Sequence, residues 1–266
     1  MKIKQFIVTY NNSKEINKCL DSIFTRLSDE ELSLLEIYII NNHSNLLIED
    51  KFKNKVNILN NELRPDFSTG HLSRNWNQAI INGFKDLTNP DCDIVITNQD
   101  DTEFKENYIN KIIQLHKKYD LIQFGWGDNF VSYTPLAVKK VGLWDERFCN
   151  IGRQEADYFL RSVLYLDNKA SINDWSHGRK YNAIDKSEWV INIIPNGNSR
   201  NESYHSDSKQ YHPHSLHMFK TKWGIDPGHW NKDISKLKPK INSYILYPYF
   251  EKDILTLKEQ SYIYNF

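Results

Sequence analysis

Two carboxylates, Glu155 and Asp157, stand two residues apart in the stretch NIGRQEADYFLRS, with Arg161 following them. A carboxylate that is held on a rigid element and faces a hydroxyl can remove its proton as a general base. A structural explanation is also available, because acidic residues are favoured at helix N-termini and Asp157 with Arg161 makes an i,i+4 pair. The stretch by itself leaves both explanations open and does not rank one carboxylate above the other.

A second acidic pair, Asp100 and Asp101, follows the apolar run CDIVIT. Carboxylates at such a strand end can hold a hard cation together with substrate phosphates, which neutralises the charge on a leaving diphosphate. The structural alternative is that one of them caps the following helix. His177 lies 20 residues beyond Asp157 and is either part of a metal shell or an ordinary loop residue.

Strands that alternate with helices would position these side chains. Apolar runs predict strands over 5–10, 35–40, 55–60, 92–97 and 120–127 and in KASINDW and EWVINII. Helical spacing predicts helices after the first strand, over 75–87, 105–118 and 156–166, and a short one that ends near Gly142. The alternation predicts an α/β protein with a Rossmann-like, mainly parallel sheet flanked by helices.

Polar clusters end three of the first four predicted strands: Thr9 to Asn12, Asn41 to Ser44 and Asn98 to Asp101. In doubly wound sheets, ligands bind outside the carboxyl ends of the strands. The predicted ligand contacts are therefore Thr9, Tyr10, Asn11, Asn41, Asn42, Ser44, Asn98 and Gln99. Arg74 and Asn77, near the start of the helix over 75–87, either reach a phosphate or base or cap the helix.

The composition is that of a soluble globular protein, with 39% hydrophobic and 26% charged residues and a formal net charge of zero. Zero net charge gives no support to nucleic-acid binding. Cys19, Cys92 and Cys149 are widely spaced, which fits neither a disulfide framework nor a paired zinc site. The apolar burst near the N-terminus is too short for a signal peptide or a spanning helix, so a cytoplasmic protein without an integral membrane segment is expected.

Four segments, taken in order, resemble the inverting family 2 glycosyltransferases of the GT-A fold, including rhamnosyltransferase-like members. They are IVTYNN, YIINNHSN, ITNQDDTEF and VGLWDERFCNIGRQEADYFLRS, and the resemblance covers roughly residues 4–180. Each motif is weak by itself, but their order and their strand and helix contexts agree with the family. Three amides, Asn41, Asn98 and Gln154, stand where the family favours carboxylates.

The resemblance implies roles for the carboxylates. Glu155 falls at the position of the catalytic base, with Asp157 and Arg161 in support. Asp100, with Asp101, falls at the position that holds Mn²⁺ or Mg²⁺ against the diphosphate of a nucleotide-sugar.

The resemblance also implies roles for other polar residues. His177 falls where the family often has a histidine after the next strand. The residues that would line the base and ribose pocket are Thr9, Asn11 and Asn41. Aromatic chemistry makes Trp126, Trp144 and Tyr158 candidates for stacking on sugar rings, although large aromatic side chains more often belong to the core.

The predicted activity is transfer of a sugar from a UDP-, GDP- or dTDP-linked donor to a hydroxyl of a glycan or other acceptor, with inversion and a divalent cation. A GT-A domain is expected over 1–230, with a C-terminal extension over 231–266 that packs on it. One alternative is a degenerate GT-A domain that binds nucleotide-sugar or glycan without turnover. Another is a nucleotidyltransferase on a similar fold, although no Gly-rich, Lys-bearing phosphate loop follows the first predicted strand.

Overall fold

The computed structural model describes residues 1–42, 45–61, 71–148, 153–174, 178–193, 211–227 and 234–243. Within these ranges strands and helices alternate, which confirms the predicted α/β class. The strands are β1 Ile3–Thr9, β2 Leu35–Asn42, β3 Asn57–Asn61, β4 Ile94–Gln99, β5 Thr102–Phe104, β6 Leu121–Phe124, β7 Phe130–Tyr133, β8 Ala170–Asp174, β9 Arg179–Tyr181 and β10 Ile191–Ile193. The helices are α1 Ser13–Arg26, α2 Asp29–Ser33, α3 Asp50–Lys53, α4 His71–Phe84, α5 Tyr108–His116, α6 Pro135–Val141, α7 Gln154–Leu166 and α8 His212–Trp223.

Eight strands form one sheet in the order β3-β2-β1-β4-β7-β6-β8-β9, and β5 pairs with β10 beside it. The first four strands of this order are parallel, and β7 is antiparallel to both of its neighbours. Strands β6 and β8 therefore point the same way as β4. The ends of β1, β2, β3, β4, β6 and β8 consequently share one edge of the sheet, called here the carboxyl edge.

Both faces of the central strands are buried. On β1, Phe6 and Val8 belong to the core cluster that contains α4 and α7, whereas Ile3 and Ile7 belong to the cluster that contains α1 and α5. Since side chains alternate along a strand, a strand covered on both sides must be apolar at nearly every position. This is why the apolar runs FIV in β1 and IVI in β4 are recognisable in the sequence.

The strand predicted over 120–127 is a shorter strand, β6, followed by a turn. Strand β6 ends at Phe124 because Gly125 and Gly127 adopt positive φ values of 95° and 54° and turn the chain. The chain then returns as β7, which the sequence did not predict. Short antiparallel strands of four residues carry too little pattern to be distinguished from a turn.

Helix α8 is not among the helices predicted from the sequence. It packs on the domain through Phe219 and Trp223, which join the same core cluster as α7. Pro213 stands in its first turn and Gly224, with a left-handed φ of 73°, ends it. Such termini are typical of helices. The division of the chain at residue 230 stays a prediction.

Candidate active site

A side-chain hydrogen bond joins the carboxyl ends of β1 and β4. The Thr9 hydroxyl donates to the Asp100 carboxylate across 2.6 Å. Because β1 lies between β2 and β4, the chain leaves it towards one side of the sheet and returns on the other. Open α/β sheets bind ligands at this kind of switch point. Tyr10 and Asn11 follow Thr9 directly, so this group of predicted contacts lies at one crevice.

Amide side chains fill the carboxyl ends of β2 and β3. They are Asn41 and Asn42 of β2, Asn60 and Asn61 of β3, and Asn75 and Gln78 of the neighbouring helix α4. Asn61 donates to Asn42 across 2.9 Å, and Asn41 donates to Asn60 across the same distance. Amides both donate and accept, so this side of the crevice offers uncharged hydrogen-bonding groups of the kind that recognise a base or ribose. Arg74 lies in the first turn of α4, beside Asn75.

Glu155, the second residue of α7, is 4% exposed and is held from two directions. Arg179 of β9 donates to its Oε1 across 3.2 Å, and the same guanidinium lies 2.6 Å from the carboxylate of Asp174 at the end of β8. A Cβ on Gly127 would lie 3.3 Å from Cγ of Glu155, so the loop backbone rests on this side chain. No hydrogen bond from a described residue reaches Oε2. The carboxylate is therefore fixed at the carboxyl edge, with one oxygen open to other partners.

The loop over 125–129 brings Asp128 to the site, a residue that the sequence analysis missed. Its carboxylate accepts from Nε1 of Trp76 at 2.7 Å, from Nε2 of Gln99 at 2.8 Å and from Nε2 of Gln154 at 3.4 Å. It thus links α4, the end of β4 and the start of α7. Burial, and then the charge of nearby Glu155, raise the pKa of Asp128 to about 6. An acidic residue after the pair of loop glycines was the one sequence signal that could have revealed it.

Asp157 lies on the same helix as Glu155 but points into the interior and is 0% exposed. Its Oδ1 lies 2.7 Å from Nζ of Lys222 and accepts from Nε1 of Trp223 at 2.9 Å. Its Oδ2 accepts from Nε of Arg161 at 3.0 Å. Because both oxygens are engaged, Asp157 anchors α8 to α7, and this placement does not support a direct catalytic role. The structure thereby separates two carboxylates that the sequence could not rank.

The sequence was compared with known protein families and structures. The sequence model of the family described as Glycosyl transferase family 2 matches residues 6–164, more than half of the chain. The chain belongs to glycosyl transferase family 2. None of the curated proteins matches it.

Solved structures resemble this family 2 chain at low sequence identity. The mannosyltransferase PcManGT from Pyrobaculum calidifontis, in complex with GDP-Man and Mn²⁺, has a TM-score of 0.51 at 10% identity, over 82% of this chain and 63% of that chain. S. aureus TarS 1–349 has a TM-score of 0.43 at 13% identity, over 63% of this chain and 57% of that chain. A longer TarS structure gives 0.44 at 12%, over 65% and 35%. The mannosyltransferase confirms the GT-A-like fold, and the chain spans 57% and 35% of these two TarS chains.

Three predicted ligand contacts of the family 2 domain have side chains that lie in its interior, and their proposed roles stay predictions. Asn77 donates to the Trp144 carbonyl at 2.9 Å, and Asn98 accepts from Gln5 at 2.9 Å. The ring of Trp144 stacks on that of Tyr158, with centroids 4.1 Å apart. All of these side chains are fully buried. These side chains pack the interior of the protein.

Two further predicted residues, Ser44 and His177, lie outside the described residues. Among the residues that are described, no group of three or more His, Cys, Asp or Glu side chains could hold a metal ion. Asp100 and Asp101 are half-buried at the end of β4, and Asn129 donates to Asp101 across 3.1 Å. Two carboxylates are a suitable donor set for a hard cation that also binds substrate phosphates. The described residues therefore fit a shared cation and not a metal site made of protein alone.

No helix in the described part of the chain is long and apolar enough to cross a membrane.

Proposed function

We propose that this protein transfers a sugar from a nucleotide-diphosphate donor to a hydroxyl group of an acceptor, with inversion at the anomeric carbon. The observation that carries the proposal is the placement of Glu155. Its carboxylate is fixed at the N-terminus of α7 by Arg179 and Gly127, at the edge of the sheet where β1 and β4 form the switch-point crevice. A general base must be held rigidly within reach of the proton that it removes.

The donor occupies the switch-point crevice in this proposal. Thr9, Tyr10 and Asn11 contact its nucleoside from β1, and the amides of β2 and β3 contact it from the other side. The mannosyltransferase that shares this fold was crystallised with GDP-Man and Mn²⁺, which supports a nucleotide-sugar at this place. The proposed donor is a UDP-, GDP- or dTDP-linked sugar, and rhamnose is one candidate for that sugar.

A divalent cation, Mn²⁺ or Mg²⁺, would be held by Asp100 and Asp101 together with the diphosphate, with His177 as a further proposed ligand. When bound, it would neutralise the negative charge that develops on the leaving nucleoside diphosphate. The Thr9 hydroxyl orients Asp100 from the neighbouring strand.

Glu155 removes the proton from the acceptor hydroxyl as that oxygen attacks the anomeric carbon from the side opposite the diphosphate. The new carbon–oxygen bond forms as the bond to the diphosphate breaks, and this single displacement inverts the configuration. Arg179 holds Oε1 in one orientation. Because the base is already oriented before the acceptor binds, less conformational entropy is lost when the reactive geometry forms.

The proposal is tested by a thermal-shift screen of UDP-, GDP- and dTDP-sugars, dTDP-rhamnose included, with and without Mn²⁺. A ligand that binds only the folded protein raises its melting temperature. We expect one nucleotide class to raise it, and to do so more strongly with Mn²⁺. The absence of a shift with every nucleotide would contradict the proposed donor site. The anomeric configuration of the product, measured by NMR, then tests inversion.

A second candidate function is binding of a nucleotide-sugar or glycan without turnover. One observation favours it: three amides, Asn41, Asn98 and Gln154, stand where family 2 glycosyltransferases favour carboxylates. A donor that binds and is never consumed, with any of a broad set of glycoside acceptors, would support this second function.

A further inference from the structure

Trp126 is the exception among the tryptophans in the described part of the chain. Four of the five described tryptophans are at most 2% exposed: Trp76, Trp144, Trp189 and Trp223. Trp126 is 51% exposed. An indole is a large apolar surface, and leaving it in water forgoes the free energy that burial would provide. A half-exposed tryptophan has an apolar face that is available for contact with a ligand.

The exposure of Trp126 is not that of a loosely held loop. Its backbone N–H donates to the side chain of Asn129 across 3.2 Å, and its carbonyl accepts from the Asn129 N–H at 3.1 Å. Gln123 donates to the carbonyls of Gly125 and Gly127, which flank it, across 3.2 and 2.7 Å. The backbone on both sides of the indole is thus fixed from within the sheet, and the side chain is presented on a rigid support.

The loop also sets where the indole stands relative to the candidate base. Gly127, the next residue, rests on Cγ of Glu155 and donates its N–H to Asp174 across 3.0 Å. The loop joins β6 to β7, on the far side of β4 from the amides of β2 and β3. Trp126 therefore immediately precedes the glycine that contacts the candidate base, on a loop that lies several strands away from the proposed nucleoside contacts.

We infer that Trp126 forms an acceptor subsite, in which its indole face stacks on a pyranose ring, so that the acceptor is a carbohydrate. This inference rests on the proposed function. A pyranose turns a face of C–H bonds towards an aromatic ring while its hydroxyls remain in water, and an indole matches that mixed surface because it is apolar with one polar edge. The sugar of the donor could supply such a ring as well. The place of Trp126, on the loop that contacts Glu155, favours the acceptor.

The probes for this subsite are the methyl α- and β-glycosides of glucose, galactose, mannose, N-acetylglucosamine and rhamnose, added with a saturating nucleoside diphosphate. Saturation-transfer NMR should show that at least one glycoside binds, with the strongest transfer to the protons of one ring face. We expect Trp126→Ala to weaken this binding by at least fivefold and Trp126→Phe to retain part of it. Ile58→Ala is the control, because Ile58 is 42% exposed but lies on β3, at the opposite end of the sheet.

Equal glycoside binding by the wild type and Trp126→Ala would overturn the subsite. So would a wild type that binds a nucleotide but none of the glycosides, and in that case the proposed donor site would still stand. If Trp126→Ala weakened binding of the nucleotide-sugar but not of the free nucleotide, the ring would stack on the donor and the acceptor assignment would be wrong. Glycoside binding that depends on Trp126 in a protein that binds no nucleotide would support the subsite while contradicting the proposed transfer.

Discussion

Arg179 donates a hydrogen bond to Glu155 across 3.2 Å, although the two residues come from different elements and lie 24 positions apart in the chain. Both side chains are buried, and Nε of the same guanidinium donates to Asp174 across 2.8 Å. A buried cation between two carboxylates fixes the directions of all three groups, because each would be costly to leave unpaired. The arrangement gives Glu155 a single orientation towards the carboxyl edge of the sheet.

Glu155→Gln is expected to lower the rate of sugar transfer by about 10²- to 10⁴-fold, because an amide cannot accept the proton of the acceptor hydroxyl. The amide has nearly the same shape, so the thermal shift caused by the donor should remain close to that of the wild type. Transfer assays and donor thermal shifts measure the two effects separately. Wild-type turnover in Glu155→Gln would show that another group is the base.

Gly127→Ala should reduce kcat by about tenfold or more, since small displacements of a catalytic group are costly. Its methyl group would press on Cγ of Glu155 at 3.3 Å, and its φ of 54° is unfavourable for alanine. Gly178→Ala is the matched control, because Gly178 has a similar φ of 64° with nothing within 4 Å of a new Cβ. Each variant should lose about 1–2 kcal/mol of unfolding free energy. An equal loss of kcat in both would mean that backbone strain, and not contact with Glu155, is responsible.

Asp128→Asn should increase the unfolding free energy relative to the wild type, and this gain should be larger at neutral pH than at acidic pH. Burial and Glu155 raise the pKa of Asp128 to about 6, above its ordinary value of 3.8. The folded wild type therefore binds this proton more tightly than the unfolded chain does. The resulting stability is fully present below pH 3.8 and is lost as the pH rises through about 6. Two pKa units correspond to about 3 kcal/mol, which is an upper bound for the gain.

Urea unfolding of the wild type and Asp128→Asn at a series of pH values, in metal-free buffer, measures this effect. The difference between their unfolding free energies should grow between about pH 3.8 and about pH 6 and then become constant. A difference that does not change with pH would show that Asp128 titrates normally.

Lys222→Met should lower the unfolding free energy by about 3–5 kcal/mol, because it leaves buried carboxylates without their cation. Lys222 lies 2.8 Å from Asp145 and 2.7 Å from Asp157, and all three are fully buried. Burial opposes the charged form of Asp145, but Lys222 and then Arg147 outweigh it and hold the pKa of that carboxyl below its ordinary value.

Lys220→Met is the control for Lys222→Met. It lies on the same helix and removes a solvent-exposed ion pair with Asp226. Such pairs contribute about 0–1 kcal/mol. Chemical denaturation of both variants should therefore separate them clearly, and similar losses would mean that Lys222 is not essential for anchoring α8.

The strands that build the crevice could be predicted because both of their faces are buried. The runs FIV of β1 and IVI of β4 are apolar, and the sequence becomes polar where each strand ends, so Thr9 and Gln99 were predicted as ligand contacts. The short strands β7 and β9 could not be predicted, since three or four residues carry no usable periodicity. Arg179 and the loop over 125–129 depend on those two strands, and the contacts of Asp128 and Arg179 were missed with them.

The sequence by itself determined the α/β class, the family, and the short list of carboxylates and amides that could do chemistry, because these depend on local pattern and order along the chain. Only the tertiary structure decided which of them face the crevice. Asn77, Asn98 and Asp157 turn inwards to partners that lie far away in sequence, whereas Glu155 meets Gly127 and Arg179 at the carboxyl edge. The direction of a polar side chain depends on which distant groups can satisfy it, and folding alone brings those groups together.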